Sequence, residues 1–298
     1  MAGTTSSTVA ELYANIVADL QPFYEDAVLL PNDQFIMNKF NIAGTSGNTV
    51  QVPLTNAATN GATVGEGNSI VAAATGNFDP TGVNITLSKK GVGTDVSEES
   101  LEDGGMSVVS NAVLRNLSQG LAQATDVAGF VELKASLTPT DVGAGGANSD
   151  FTTNFVISPD ALGYASKRAP TVSMFYDNDL DTHNFRATIR DGFKVVRPTF
   201  GVPVTSLAAI GSSAETLADI AQAVATLRSV NAPTMLNGFY IAFVDPALEL
   251  GIASQLNSVT ASAIGDLSMI GNRTLLQGII GQAAGCEFYR TNNLPDAA

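Results

Sequence analysis

Cysteine, histidine and tryptophan are almost missing: Cys286 and His183 stand alone, and 298 residues contain no tryptophan. A single thiol forms no intrachain disulfide, and one thiol with one imidazole cannot close a structural zinc site. Cys286, inside a strand-like pattern, reads as a small apolar filler. Charge is also scarce. Asp, Glu, Lys and Arg make up 14% of the chain, where about a quarter is ordinary for a soluble domain. The 14 Lys plus Arg against 28 Asp plus Glu leave a net charge of −14. That balance disfavours tight nucleic-acid binding, which draws its affinity from neutralised phosphates and released counterions. The acidity is uneven: residues 1–150 carry 16 acids and 5 bases (net −11), residues 151–298 carry 12 and 9 (net −3). No apolar run reaches the roughly 18 residues of a membrane span, and the first twenty residues lack the basic start and apolar block of a secretory signal. The expectation is a soluble protein that stays in the cytoplasm and has no membrane partner.

What is present is weakly polar and apolar. Hydrophobic residues reach 45%, and a chain of this length buries about three quarters of its unfolded surface without needing staples. With so few charges, part of the surface should be covered by something other than water, and identical subunits are the usual cover.

Along the chain, Val9, Leu12, Tyr13, Ile16, Val17 and Leu20 recur at helical spacing, with Pro22 as the stop. Extended apolar pieces follow near Val28 to Leu30 and Phe35 to Phe40. From Gly44 to Lys90 only Glu66 and Asp79 are charged before Lys89 and Lys90. Val50, Val52 and Leu54, then Val83, Ile85 and Leu87, alternate with polar residues, so two strands flank a long Gly-rich tip in a protruding ribbon. A ribbon so isolated is marginal in water and should lie on something. Ser97 to Ser100 and Asp103 place caps and acids ahead of the longest helical stripe, Met106, Val109, Val113, Leu117, Leu121, Ala124, Ala128 and Val131. About 28 residues of helix would span roughly 40 Å, with Gly120 and Gly129 as weak points.

Asp141 to Asp150 reads as a linker. Beyond it, Phe155 to Ile157 is apolar, a helix start is expected at Ser158-Pro159-Asp160, and strands are expected at Arg186 to Ile189 and Phe193 to Val204. Ser212 to Glu215 has capping-box spacing, with Leu217, Ile220, Val224 and Leu227 on one helix face. Gly238 to Val244 is a buried strand ending in Asp245-Pro246, where a short helix begins. Thr274 to Ile280 and Cys286 to Arg290 form a hairpin signature.

Residues with chemical potential are few. His183 lies in the polar stretch Asn178 to His183, which matches no calcium loop, so a solvated loop is expected. Glu98, Glu99, Glu102 and Asp103 have the composition of paired glycosidase carboxylates, yet acids at a helix start more often complement its dipole. Gly61 to Gly67 and Gly143 to Gly146 lack the lysine and the setting of a phosphate loop. Lys167, Arg168, Arg186, Arg190, Lys194 and Arg197 make a basic segment facing Asp177, Asp179, Asp181 and Asp191. Its readings are a mixed-charge surface, pairing with the acidic half of a neighbouring copy, or DNA contact. No residue is nominated as catalytic, cofactor-binding or metal-binding, and no cofactor or enzymatic activity is expected.

The order of these parts resembles the major capsid proteins of tailed bacteriophages, the Hong Kong ninety-seven type. Leu87 to Ser100 resembles that family's passage from extended loop to spine helix, and Leu121-Ala122-Gln123-Ala124-Thr125-Asp126 its L-A-x-x-x-D on that helix. Gly238 to Pro246 is similar to its G-x-Y-x-x-x-x-x-P strand and turn, and Gly278 to Pro295 to its closing strand pair. Asp160 to Arg168 and Asp191 to Pro198 resemble a helix and a late strand of the family, but stand ahead of the axial-type strand, which implies a permuted second half.

The resemblance implies an α+β fold. Its parts would be an N-terminal helix and arm (1–43), an extended β-ribbon loop (44–92), a spine helix and peripheral domain (93–150), permuted peripheral and axial elements (151–210), and an axial domain with closing strands (211–298). The implied function is an icosahedral shell around a phage genome, built from hexamers and pentamers of this chain. Its partners would be a portal, scaffolding or cement proteins, and DNA by weak non-specific contact. Some relatives carry a crosslinking lysine near Lys89 and Lys90, although lysines at a ribbon base are more often solvated or paired. The alternatives are a tail-tube, decoration or adhesin protein, or a carbohydrate-active enzyme using the acids near Glu98. The first leaves the long capped helix without a role, and the second lacks the tryptophan of a sugar platform.

Overall fold

The computed structural model describes residues 20–31, 35–53, 82–104, 106–137, 142–143, 151–207, 217–260 and 281–295. Expectations for residues 1–19, the ribbon tip 54–81, residues 144–146, residues 212–215 and Thr274 to Ile280 lie outside them. Residues 20–27 are helical (α1). The chain then runs β1 (Asn38–Asn41), β2 (Thr49–Val52), β3 (Val83–Thr86), β4 (Ser88–Ser97), α2 (Glu98–Gly104) and α3 (Met106–Ser136). It continues with β5 (Val142–Gly143), β6 (Phe151–Ile157), β7 (Leu162–Asp177), β8 (Thr182–Val195), β9 (Gly201–Leu207), α4 (Leu217–Ser229), β10 (Tyr240–Val244), α5 (Pro246–Thr260), β11 (Gln282–Ala283) and β12 (Cys286–Arg290). Among the described residues no helix is long and apolar enough to cross a membrane.

The strands form a four-stranded sheet in the order β1-β7-β8-β4, a six-stranded sheet β11-β12-β10-β6-β9-β5, and the β2-β3 pair. At the centre of the larger sheet, β10 is buried along its whole length. Its alternation assigns its residues to two cores. Tyr240, Ala242 and Val244 face α4 and α5, packing with Ile220, Val224, Leu227, Leu248 and Ile252. Ile241 and Phe243 face the other way, onto Phe35, Phe130, Leu133 and Leu162. A strand covered on both faces reads as a continuous apolar run, and Tyr-Ile-Ala-Phe-Val is one.

α3 joins the two sheets. Its 31 residues span about 46 Å. Val113, Leu114, Leu117 and Leu121 cover Val172, Phe185, Ala187 and Ile189 of the smaller sheet, while Phe130 and Leu133 belong to the core of the larger one. Gly129 is a contact point, since a Cβ there would lie 2.5 Å from Leu30 Cδ1 and 3.4 Å from Phe193. The glycine admits close packing and leaves the helix unbroken.

Several sequence expectations hold. β2 and β3 pair antiparallel, Val50 opposite Ile85 and Val52 opposite Val83. Ser97 caps α2, its Oγ accepting from Ser100 N at 3.3 Å. Asp245 caps α5 by accepting from Leu248 N at 2.8 Å. Of the expected closing hairpin, Cys286 to Arg290 is a strand, β12, which joins β10 in parallel register; its partner here is the two-residue β11, with a turn at Ala284-Gly285, both at positive φ, as a two-residue type I′ turn requires. Cys286 is fully buried, and that burial pushes its thiol up to about 12.

Others are corrected. The helix expected from Ser158-Pro159-Asp160, and the helix-like resemblance of Asp160 to Arg168, give way to a turn and to β7. Leu162 to Ser166 is bonded on one side to β8 and on the other to β1, and two ladders outweigh a helical propensity already weakened by Gly163. The β8 strand is one 14-residue element. It ends where Pro198, which has no N–H to donate, opens a 3₁₀ turn before β9, so the strand expected at Phe193 to Val204 is split. Residues 20–27 are helical with Pro22 among them, and Leu20 and Tyr24 bury against α3; the helix expected ahead of Pro22 lies outside the described residues. Residues 151–207 form no separate inserted domain, since β6 and β9 lie in the sheet of β10 and β12 while β7 and β8 carry α3.

Candidate functional site

The sequence nominates no catalytic, cofactor or metal residue. Among the described residues no group of three or more His, Cys, Asp or Glu is placed to hold a metal ion. The surfaces of interest are those a neighbouring copy would meet, and the buried contacts that hold them in place.

The ribbon base is fixed by packing. Val52, Ile85 and Leu87 bury against Ala165 and Val196, and Leu87 N donates to Asn48 O at 2.8 Å. Gly192 of β8 lies directly beneath it: a Cβ there would sit 2.3 Å from Thr86 O. Because a backbone atom is the obstacle, only glycine admits this approach.

On the buried side of α3 a polar group ties the segment after α1 to that helix. Asp126, at 1% exposure, accepts from Leu29 N at 3.1 Å and Leu30 N at 2.9 Å, capping the chain as it leaves α1. Burial pushes its carboxyl up to about 6, against these amide bonds, Asn293 and the nearby Lys90 charge, all of which pull it down. Tyr24 Oη reaches Thr125 Oγ1 at 3.3 Å. Asp191, fully buried, pairs with Lys90 Nζ at 2.7 Å. Its carboxyl is still raised by burial, with the Lys90 charge opposing. Lys90 is thus paired in the interior, while Lys89, next in sequence, is exposed. Asp126 is the last residue of the L-A-x-x-x-D resemblance, and its buried position shows what an acid does there.

His183 departs from expectation. It is a β8 residue, half-buried, with Nε2 2.6 Å from Glu98 Oε2 in the first turn of α2. The solvated-loop reading fails because residues 182–195 pair with β4 and β7 on both sides.

The basic segment divides. Lys194 pairs with Glu132 at 2.7 Å, Arg197 with Asp160 at 3.0 Å, and the Arg186 guanidinium lies 4.5 Å above the Phe175 ring. The rest gather elsewhere. Lys167, Arg168 and Arg190 join Lys89 around an open groove of about 600 Å³ beside Gly44 and Thr45. A second groove of about 510 Å³ is lined by Met37, Pro159, Met235, Leu236 and Tyr289, with Met37 64% exposed.

The sequence matches no family model and no curated protein. Solved structures are informative about the fold. The chain superposes on the procapsid of bacteriophage JBD30 with a TM-score of 0.52 and 14% identity, over 85% of this chain and 91% of that chain. The JBD30 capsid decorated with minor capsid protein trimers gives 0.51 and 14%, over 88% and 90%. The bacteriophage JBD30 capsid gives 0.50 and 12%, over 87% and 89%. The chain therefore has the α+β fold of tailed-phage capsid proteins, the Hong Kong ninety-seven type, as its sequence suggests.

Proposed function

We propose that this chain is a major capsid protein that self-assembles into the icosahedral shell enclosing a phage genome. The observation that carries the reading is the likeness to the JBD30 procapsid over 85% of this chain and 91% of that one. Physical features support it. A ribbon base is seated on β7 and β8, the sequence between its two strands carries only Glu66 and Asp79 as charges, and charges there would need desolvation on docking. On this reading residues 1–43 are the N-terminal helix and arm, 44–92 the extended loop and 93–150 the spine helix and peripheral domain. Residues 151–210 are peripheral and axial elements in permuted order, and 211–298 the axial domain and closing strands.

Copies associate as hexamers and pentamers through obligate interfaces on the order of 2,000 Å² or more. A portal and scaffolding or cement proteins complete the particle in the host cytoplasm, and the minor protein trimers on JBD30 make a cement partner a direct thing to test. Packaged DNA meets a chain of net charge −14, so its contacts are weak and non-specific. The role is structural, with no reaction to catalyse. Negative-stain microscopy of the overexpressed chain tests the reading. Uniform closed particles are expected, and a persistent monomer, or rods or trimers alone, would overturn it.

A further inference from the structure

The four-stranded sheet is electrically polarised along its strands. At one end Arg168 of β7, Arg190 of β8 and Lys89 of β4 are direct cross-strand partners, Arg168 opposite Arg190 and Arg190 opposite Lys89. Direct partners share a face with Cβ atoms about 5 Å apart, where like charges repel. Lys167 lines the same groove, its Nζ donating to Gly47 O. Among the described residues none of the four cations has a carboxylate partner. Arg168 bonds only a hydroxyl, Thr188 Oγ1 at 2.7 Å. A row of three cations in a chain with twice as many acids as bases is an arrangement in search of an anion.

The opposite end of the same strands is acidic. Asp177, Asp179 and Asp181 lie on or beside the exposed β7–β8 turn, and Asp95 and Glu99 are exposed at the adjoining end of β4 and start of α2. The basic side chains nearest them are already engaged, Arg186 over Phe175 and His183 on Glu98. Eight residues of β8 separate Arg190 from Thr182, roughly 26 Å of extended strand. The two ends belong to one sheet and cannot meet within a copy.

We propose that the cationic end of one copy docks on the acidic end of the next, a head-to-tail contact that sets the order of subunits around a capsomer. Every copy carries both halves of such a contact, and heterologous contacts of this kind close into rings. This rests on the self-assembly proposed above. The groove takes a cluster of carboxylates from a second copy of this chain. Nucleic-acid phosphate is the competing occupant, disfavoured by the net charge.

Charge reversal tests it. One variant carries Arg168→Glu and Arg190→Glu, a second carries Asp95→Lys and Asp179→Lys, and a third combines all four, with folding checked by circular dichroism. Each reversal alone should raise the concentration needed for assembly about tenfold or more, since facing like charges are strongly unfavourable, and the combined variant should restore it. Assembly of both single reversals at the wild-type concentration, or no rescue in the combined variant, would overturn the proposal. So would a first variant that assembles normally but loses binding of a 30-base-pair DNA duplex at low salt. If the wild-type chain forms no particles, the capsid reading fails by itself. The contact is then read by sedimentation of the first two variants mixed in equal amounts, where a salt-sensitive complex supports it and two separate monomers refute it.

Discussion

The two sheets solve opposite problems. The six-stranded sheet is enclosed by α4 and α5 on one face and by α3 with Leu30, Phe35 and Ile36 on the other, and its central strand exposes nothing. The four-stranded sheet is covered by α3 on one face and only in part, by the ribbon base over Ala165 and Gly192, on the other. Under α3 it holds buried charge at Lys90 and Asp191, and at its ends it presents a row of cations and a cluster of acids. The first arrangement sets a shape by non-directional burial. The second retains polar groups that cost desolvation inside a subunit and, on the proposal above, mark where the next copy docks.

If that contrast is right, damage to the larger sheet should be the most costly. Phe243, in contact with the rings of Phe35 and Phe130 at 5.2 Å each, should lose about 3–5 kcal/mol on replacement by alanine, measured by urea unfolding of the monomeric chain. A loss under about 1 kcal/mol would erase the distinction between the two regions.

The next effect concerns buried charge. Asp126 is raised to about 6 by burial, so its neutral form is the one the fold favours. Its contribution is fully present below the unfolded carboxylate value and is lost as pH rises through about 6. Asp126→Asn carries no such penalty, and should gain on the wild type by about 2 kcal/mol between pH 4 and pH 7. Unfolding curves at both pH values decide this, and a pH-independent difference would refute it.

Ribbon seating should come third. Gly192→Ala drives a Cβ against Thr86 O and should cost about 1–3 kcal/mol, with faster amide exchange confined to β2 and β3. Smallest is the half-exposed His183–Glu98 pair. Glu98→Gln should cost under about 1 kcal/mol in thermal unfolding, because solvent screens such pairs.

Periodicity carries much of the fold. The middle of the α3 stripe at Val113, Leu117 and Leu121, the α4 face at Ile220, Val224 and Leu227, the apolar β10 run and the alternation at Val50, Val52, Val83 and Ile85 are legible, since local pattern and final environment agree there, whereas the stripe's end is not, because Val131 is exposed and Phe130 and Leu133 are the buried residues. The failures share a cause. Asp160 to Arg168 reads as helix and is a strand, and His183 reads as loop and is a strand, because ladders to residues far away in sequence decide both. Gly120 and Gly129 read as weak points of a helix, whereas Gly129 is a point of close approach. β4 reads as a passage between loop and helix, although Lys90, Val92, Thr94 and Val96 alternate.

The candidate surface is legible only in outline. The excess of basic residues between 167 and 197 is visible, and pairing with a neighbour's acids is one of its readings. Which cations are engaged at home is not visible, because Lys194 meets Glu132 across 62 residues and Lys89 joins Arg190 through strand pairing between distant parts of the chain. The sequence by itself determined the low charge, its acidic first half, the element periods and the capsid-like order of parts, all properties of residues near one another along the chain. Only the tertiary structure decided that Lys90 goes inside and Lys89 outside, that Asp126 holds the backbone at Leu29 and Leu30, and that three cations line up in a row. Those depend on strand register and helix packing, where a one-residue shift would turn every side chain to the other face.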